Sequence, residues 1–468
     1  MRRQLFIVAL LGLGLVAGCK VDQESEVRTY RNVVDFPATR PADIAIGQMT
    51  LLLALQLTNQ QNERLSIEGE NYLQAIINRK RALATFLPTV NLTGSYGLDE
   101  NVGASQQNHA LDAAAVGNIN LFNGFSDQAR VRVADLTIEQ RRYLLQDVQE
   151  SLLTDVVRAY YAVLRNEQLV RVLVNTADLQ QQRVDDIHAR RDAGVARPLD
   201  VAQSEAQASA TRVTLIDARN AAVNSRSVLT LLTGVDMGAA LLSEVDPLTL
   251  AGDDAADIAR AAMSRRPDLL AAGKARDAAR KGVEVAVGQY YPSLSLNLKA
   301  FLHRETPPSD RDWESLLQMN LPIFSAGRIE ADVRQAWSQF RQAAWFESLL
   351  RRQVLSDVRV ARENREASRQ RLLELTVQVT AARQAVEQAE QSYSAGLATN
   401  LERLTAQDQL LNASLGYTSE HYNQRLAYAD LLHAAGELRT RIAKELSPTT
   451  APVQTPATLP ARGLLTSR

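Results

Sequence analysis

Apolar positions along this chain keep two different periods, and proline and glycine mark the boundaries between them. From Phe125 to Ala193 there is neither Pro nor Gly. Apolar residues recur there at Leu145, Val148, Leu152, Val156, Ala159 and Val163, the three- and four-residue steps of a packed helix face. A continuous helix over that stretch runs about 100 Å at 1.5 Å per residue, longer than an ordinary domain is wide. In its middle the stripe doubles, with Val156 beside Val157, Tyr160 beside Tyr161 and Val163 beside Leu164. Two buried faces are what a helix needs when it touches a neighbour on each side, as in a closed wall. The stretch from Ile329 to Ala395 repeats the pattern through Val333, Trp337, Phe340 and Ala344, then Leu372, Leu375, Val379, Ala382, Val386 and Tyr393.

Each long helix ends at a glycine. Gly194 follows Asp192 and Ala193, and Pro198 restarts a helix; Gly396 follows Ser394 and Ala395, with Thr399 or Asn400 as the next cap. Return helices are predicted over about 199–232 and 401–443, which makes each half an antiparallel helical hairpin. A lead-in helix is predicted over 49–88, and a second from the AADIAR segment to Pro292. Between them, Gly, Pro and Asp at turn spacing over 231–254 predict a side structure around the middle of a long barrel.

The second period is two. Val90, Leu92 and Tyr96 alternate within 88–97, and Leu294, Leu296 and Leu298 alternate with Ser293, Ser295, Asn297 and Lys299 within 292–302. Partner strands are predicted at 113–122 and 313–324, across polar loops. About 10 residues is the length of a tilted membrane strand, and Tyr96, Phe122, Phe125, Tyr290, Tyr291, Phe301, Trp313 and Phe324 cluster at the strand ends as an interfacial girdle would. On periodicity alone, soluble amphipathic hairpins fit equally well. In lipid, however, an open sheet edge cannot be satisfied, and four strands are fewer than the roughly 8 of the smallest single-chain barrels. A membrane reading therefore requires other copies to complete the barrel.

The chain is internally duplicated. FLPTVNLTGSYG returns as YYPSLSLNLKAF, NLFNGF as LPIFSAGR and RDAGVARPLDVAQ as YSAGLATNLERLTAQ, and both Phe122 to Phe324 and Gly194 to Gly396 span about 202 residues. Arg2 and Arg3 before the apolar run Leu5 to Ala17 make residues 1–18 a secretory signal, too short for a permanent membrane helix. LVAGC then places Cys19, the only cysteine, where a lipobox puts the lipid-bearing first mature residue, so no intrachain disulfide is possible. Residue 20 is Lys; a non-Asp residue at this place in Gram-negative lipoproteins goes with sorting to the outer membrane. The predicted organisation is a lipidated linker at 19–48, repeats at 49–257 and 258–446, and a disordered Pro- and Thr-rich tail at 447–468.

Composition excludes more than it suggests. Lys and Arg total 52 against 53 Asp and Glu, which gives no electrostatic grip on nucleic acid. His109, His188, His303, His421 and His433 form no HExxH, no phosphate-binding loop is present, and five Met give no relay for soft metals. No catalytic residue, metal site or cofactor is expected beyond the covalent lipid on Cys19.

The proline-led strand openings, NLFNGF and LPIFSAGR, the RRPDL segment at 265–269, the paired AG turns and the lipobox together resemble the TolC-like outer membrane factors, in particular their lipoprotein branch linked to RND efflux. The resemblance spans about Met49 to Leu446. It implies a mainly α chain with a membrane β-barrel portion: a homotrimer whose 12-stranded barrel, four strands per chain, continues as a long α-helical barrel through the periplasm. It further implies a non-enzymatic exit duct of a tripartite efflux system for small molecules or drugs, partnered by a periplasmic adaptor and an inner-membrane transporter of RND type. A type I protein-secretion duct shares the same fold; a periplasmic coiled-coil scaffold lipoprotein is the other alternative. By the same resemblance Tyr393 hydrogen-bonds Asp200, Glu402 rings the periplasmic gate, and the Gly194 and Gly396 tips contact the adaptor. Ala398 stands where the family has a gate Arg, and Thr405 where it has a second acidic residue. Asp200 and Glu402 also read, without any pore, as first-turn acids that favour a helix dipole.

Overall fold

The computed structural model describes residues 22–35, 48–98, 109–238, 240–244, 255–306 and 310–446. Cys19, the loop at 99–108 and the tail from 447 lie outside the described residues. Helix α1 (Gln23–Val34) is followed by β1 (Gln48–Met49), α2 (Leu51–Gln61) and α3 (Glu63–Ala84), which leads into the hairpin β2 (Thr89–Leu98) and β3 (His109–Asn123). The first long pair is α4 (Ser126–Asp192) and α5 (Pro198–Thr233). After β4 (Leu241–Leu242), α6 (Ala255–Arg265) and α7 (Pro267–Gly288), the hairpin β5 (Ser293–Arg304) and β6 (Trp313–Asn320) precedes the second pair, α8 (Arg328–Ser394) and α9 (Asn400–Ala435). Helix α10 (Leu438–Leu446) ends the described chain. Both α4 and α8 have 67 residues, and both α5 and α9 have 36.

The four main strands form one antiparallel sheet in the order β2-β3-β5-β6, with Leu92 opposite Ala115, Asn118 opposite Asn297 and Leu296 opposite Leu317. The helices continue that order. Towards the sheet α4 packs between α3 and α7, and towards the far end between α5 and α9; α8 packs on α7 and then on α9. One free edge of the chain is therefore β2, α3 and α5, and the other is β6 and α8, from end to end. No described helix is long and apolar enough to cross a membrane.

The core lies at the waist. The doubled stripe of α4 buries Val156, Val157, Tyr160 and Tyr161 against Leu51 and Leu55 of α2, Tyr422 and Tyr428 of α9, and Leu438 and Ile442 of α10. Two carbonyls, Met49 O at 2.8 Å and Ser243 O at 2.7 Å, share the Tyr160 hydroxyl, so one phenol pins the parallel β1–β4 pair to α4. This pair is the side structure expected from the breaks in 231–254. The RRPDL segment works beside it. Arg266 bridges Asp268 and Asp357 at 2.7 and 2.8 Å, Arg265 pairs with Glu437, and Glu150 of α4 accepts the Leu438 N–H at 3.2 Å. Burial pushes the Glu150 carboxyl up to about 7 and that of Asp147 to about 6.

Several boundaries differ from the pattern-based expectation. The 19–48 linker contains a docked helix: Val27, Tyr30 and Val34 give α1 an apolar stripe, Tyr30 lies where a Cβ on Gly69 would be 2.4 Å from its ring, and Gln149 donates to the Val34 carbonyl at 2.6 Å. The first lead-in is two helices because Asn62 caps α3 through the Arg64 N–H at 3.0 Å. The second breaks at Arg266, with Pro267 opening α7. The last return helix stops at Ala435 instead of 443, because the chain turns at Gly436 with φ 69° before α10. Strand β6 ends at Asn320, two residues before Pro322.

Strand-to-helix junctions occur twice, in different surroundings. In the first, Gly124 and Phe125 both take positive φ, a Cβ on Gly124 would fall 2.0 Å from the Gly288 carbonyl oxygen, and Phe125 packs edge-on against Phe122 and Tyr291. Its counterpart has Ala326 and Gly327 at positive φ, nothing within 4 Å of a Cβ on Gly327, and Ile323 and Phe324 exposed at 94% and 89%.

Candidate functional site at the helical tip

Both hairpin turns are built alike. At the first, the Gly194 N–H donates to Arg191 O at 2.9 Å and the Val195 N–H to Arg190 O at 2.9 Å; at the second, Gly396 donates to Tyr393 O at 3.0 Å and Leu397 to Ser392 O at 2.8 Å. This paired capping requires a left-handed residue, and Gly194 and Gly396 supply φ of 74° and 76°. Within the protomer nothing lies within 4 Å of a Cβ at either glycine. The turn conformation, not crowding by the chain itself, selects glycine there. The residue after each glycine points outward: Val195 is 76% and Leu397 85% exposed, with Leu199 and Leu401 also exposed one turn on. Sequence reading missed these four apolar residues, although their about 202-residue offset, the same as that of the glycines, marks them.

The expected bond between Tyr393 and Asp200 is not formed within the protomer. Asp200 is buried and its carboxylate is taken by Arg197, through Nη2 at 2.8 Å, Nε at 3.1 Å and the backbone N–H at 3.2 Å. Those hydrogen bonds, the side-chain one foremost, hold its pKa below the usual carboxylate range. Tyr393 instead offers its ring to Arg403 at 4.2 Å and to Arg190 at 5.4 Å. Glu402 is turned back on its own helix end. It accepts the Thr399 N–H at 2.7 Å and the Thr399 hydroxyl at 3.0 Å, while its own N–H donates to Thr399 Oγ1 at 3.3 Å. This capping box lowers the Glu402 pKa, the Thr399 backbone bond contributing most. Asp200 and Glu402 occupy the same position in the two repeats, and each caps its return helix.

What joins the hairpins is a different set of residues. Asn400 Nδ2 donates to the Asp200 carbonyl at 3.2 Å and to Ser204 Oγ at 3.2 Å, and Arg403 Nη2 donates to Asn400 Oδ1 at 2.8 Å. A continuous chain thus runs from Tyr393 at the end of α8, through Arg403 and Asn400 of α9, to the start of α5. Farther from the tip, Arg183 pairs with Glu390 at 2.8 Å and Gln207 donates to Asp408 at 3.2 Å. A signal existed in the sequence, since Arg403 stands where the first repeat has the buried Val201.

A duplicated, hairpin-tipped chain of this shape can be compared with known proteins. The model of the outer membrane efflux protein family matches residues 74–235 and 258–437, one block for each repeat. The chain belongs to this family. Among its relatives, the outer membrane efflux protein BepC of Brucella suis is 25% identical over 357 residues, covering 74% of this chain and 77% of BepC. The probable efflux pump outer membrane protein TtgC of Pseudomonas putida is 25% identical over 437 residues, covering 86% and 87%. In fold, the chain is similar to the CmeC outer membrane channel of Campylobacter jejuni, with a TM-score of 0.76 at 16% identity over 85% of this chain and 90% of that one. For VceC of Vibrio cholerae the TM-score is 0.74 at 18% identity, over 82% and 96%. Membership of this family makes the four-stranded sheet the outer membrane portion and the helical hairpins the periplasmic portion.

Proposed function

We propose that the chain is one third of a continuous duct, a homotrimer that carries small molecules across the outer membrane as the exit of a tripartite efflux system. The observation that carries this reading is the pair of free edges running the length of the protomer, β2, α3 and α5 on one side and β6 and α8 on the other. An edge strand in lipid must be paired, and three copies in a ring pair every one. The printed names of relatives support export, including a toluene efflux pump protein and an antibiotic efflux pump protein. The duct chemistry is passage, with no reaction at a side chain. Adaptor contact falls to the Gly194 and Gly396 turns, whose Val195 and Leu397 neighbours offer apolar knobs at the tip, and the pump beyond the adaptor is of RND type. Asp200, Tyr393 and Glu402 lie at the periplasmic end of the duct, where the hairpins must part for it to open.

The test is deletion of the gene and recovery by the plasmid-borne protein. Susceptibility to apolar drugs should rise on deletion and return with the wild type, and the purified channel should contain three chains by light scattering. Unchanged susceptibility with an exported polypeptide retained in the cell would instead mark a protein-secretion duct. Anchoring is tested separately: Cys19→Ser should abolish palmitate labelling while the strands still insert, and unchanged labelling would exclude lipid at that cysteine.

A further inference from the structure

Between the hairpins α4, α8 and α9 enclose a cavity of 160 Å³, lined among others by Gln180 and Arg183 of α4, Val386 of α8 and Gln407 of α9. Drug-sized ligands occupy about 300 Å³ or more, so a transported compound does not fit. A small ion with a few waters, each taking about 30 Å³ of liquid, does. The cavity is built with polar groups that the chain itself does not satisfy. Gln180 and Gln407 are 4% and 7% exposed, yet Gln180 Oε1 and both amide atoms of Gln407 have no partner.

One turn nearer the tip, on the same face of α9 as Gln407, lies Arg403, itself 4% exposed. Its Nη2 reaches Asn400, its guanidinium rests on the Tyr393 ring, and its Nε has no acceptor. Arg183, which lines the cavity, has Glu390 as its carboxylate at 2.8 Å, whereas no ion pair joins Arg403 to a carboxylate among the described residues. The two guanidiniums feel one another: burial lowers the Arg183 pKa, Glu390 raises it and Arg403 lowers it. Arginine does not escape by losing its proton. Two buried cations thus face one carboxylate, and because Arg403 is covered by its own protomer a neighbouring copy cannot bring the missing charge.

We propose that this cavity binds a small inorganic anion of the chloride class, held by the Gln407 Nε2–H and by the guanidiniums of Arg183 and Arg403, with water completing its shell. The ion lies in the wall between the hairpins, so it ties α4 to α9 and takes no place in the line of transport. The inference concerns contacts inside one protomer and stands independently of the trimer and of the gate.

Bromide in place of chloride locates the ion directly. Crystals of the wild-type channel grown in sodium bromide should give an anomalous peak beside Gln407 and Arg183, and Arg403→Gln should lose it. In solution, chloride should raise the Tm of the wild type by about 1–3 °C over gluconate, which is too large for the cavity, at equal ionic strength. Gln407→Leu, which keeps both arginines, should need several-fold more chloride for the same shift, and it serves if Arg403→Gln does not assemble. No bromide peak in the wild type, a peak of undiminished height in Arg403→Gln, or a wild-type Tm indifferent to chloride would each overturn the proposal.

Discussion

Helices α4 and α8 have the same length and the same place in their repeats, yet twenty residues of α4 are buried and only eight of α8. Composition does not explain the difference. Trp345, Phe346, Leu349, Leu373 and Val377 of α8 are as apolar as the buried stripe of α4, and all are exposed. Position explains it, because α4 has neighbours on both sides and α8 on one. The two strand-to-helix junctions repeat the lesson, the first closed on Gly288 and Tyr291, the second open with Ile323 and Phe324 bare. In both cases the second repeat shows, as exposed apolar surface, what the first repeat finds inside its own chain. In the ring that surface meets the Leu83, Phe86 and Leu87 end of α3 in the next copy, also exposed here.

The comparison can be broken most severely at Gly124. Gly124→Ala drives a methyl to 2.0 Å from the Gly288 carbonyl, and folded channel should disappear from the outer membrane. Gly327→Ala meets nothing within 4 Å in the protomer and should cost only about 1–2 kcal/mol for its left-handed backbone. Equal loss from the two, measured as folded trimer on gels, would show that the next copy closes on Gly327 as tightly as Gly288 closes on Gly124.

Phe346→Asp should come next. Phe346 is exposed in the protomer, so helicity by circular dichroism should survive, while an unpaired carboxylate in a closed seam costs several kcal/mol and detergent-resistant trimers should be lost. Trimers of normal resistance would remove α8 from the seam.

A third contrast sets a buried acid against its amide. The pKa of Glu150 is raised from the usual 4.5 to about 7, burial being the main cause, with Arg439 and Arg266 opposing it and Asp147 adding to it. The native state therefore holds a proton that the unfolded state has released between those values, and this group's contribution to stability falls as pH rises from about 4.5 to about 7. Glu150→Gln should gain up to about 3 kcal/mol at pH 8 and nothing at pH 4. His433, whose pKa burial lowers, acts the other way below its usual 6.5, so the comparison must be between variant and parent at each pH. A gain independent of pH would show that Glu150 is ionised throughout.

The smallest effects belong to the tip. Asn400→Ala removes the hydrogen bonds to Asp200 O and Ser204, about 1–2 kcal/mol in all, and should raise the conductance of the isolated channel. Tyr393→Phe keeps the ring beneath Arg403 and should leave conductance unchanged. A rise from Tyr393→Phe would restore a hydroxyl contact that forms only in the assembled trimer.

Most of the architecture was legible because proline and glycine punctuate it. Strand and long-helix starts fell within a few residues of their places, since Gly194, Gly396, Pro198 and Pro292 leave the backbone little choice. Less legible were breaks made by single contacts, such as the Asn62 cap and the turn at Gly436 against Arg266, because neither residue type demands a break. At the tip the acids were found but not their bonds. A carboxylate at the third position of a helix reads the same whether it faces a pore or caps its own backbone, and only coordinates distinguish Asp200 on Arg197 from Asp200 on Tyr393. Residues such as Glu150, Asn400 and Arg403 look like surface by type; it is long-range packing that buries them.

The matched lengths of the two hairpins have a mechanical meaning. With 67 residues out and 36 back in each, both turns reach the same depth, so six tips in a ring of three copies form a level rim. A single inserted residue in α4 would push its turn about 1.5 Å beyond the other and rotate it by about 100°. Val195 would then stand out of plane with Leu397, and its side chain would face another quarter of the rim. The repeats are free to exchange one side chain for another, as at Val201 and Arg403, but a flat mouth ties them to a common count.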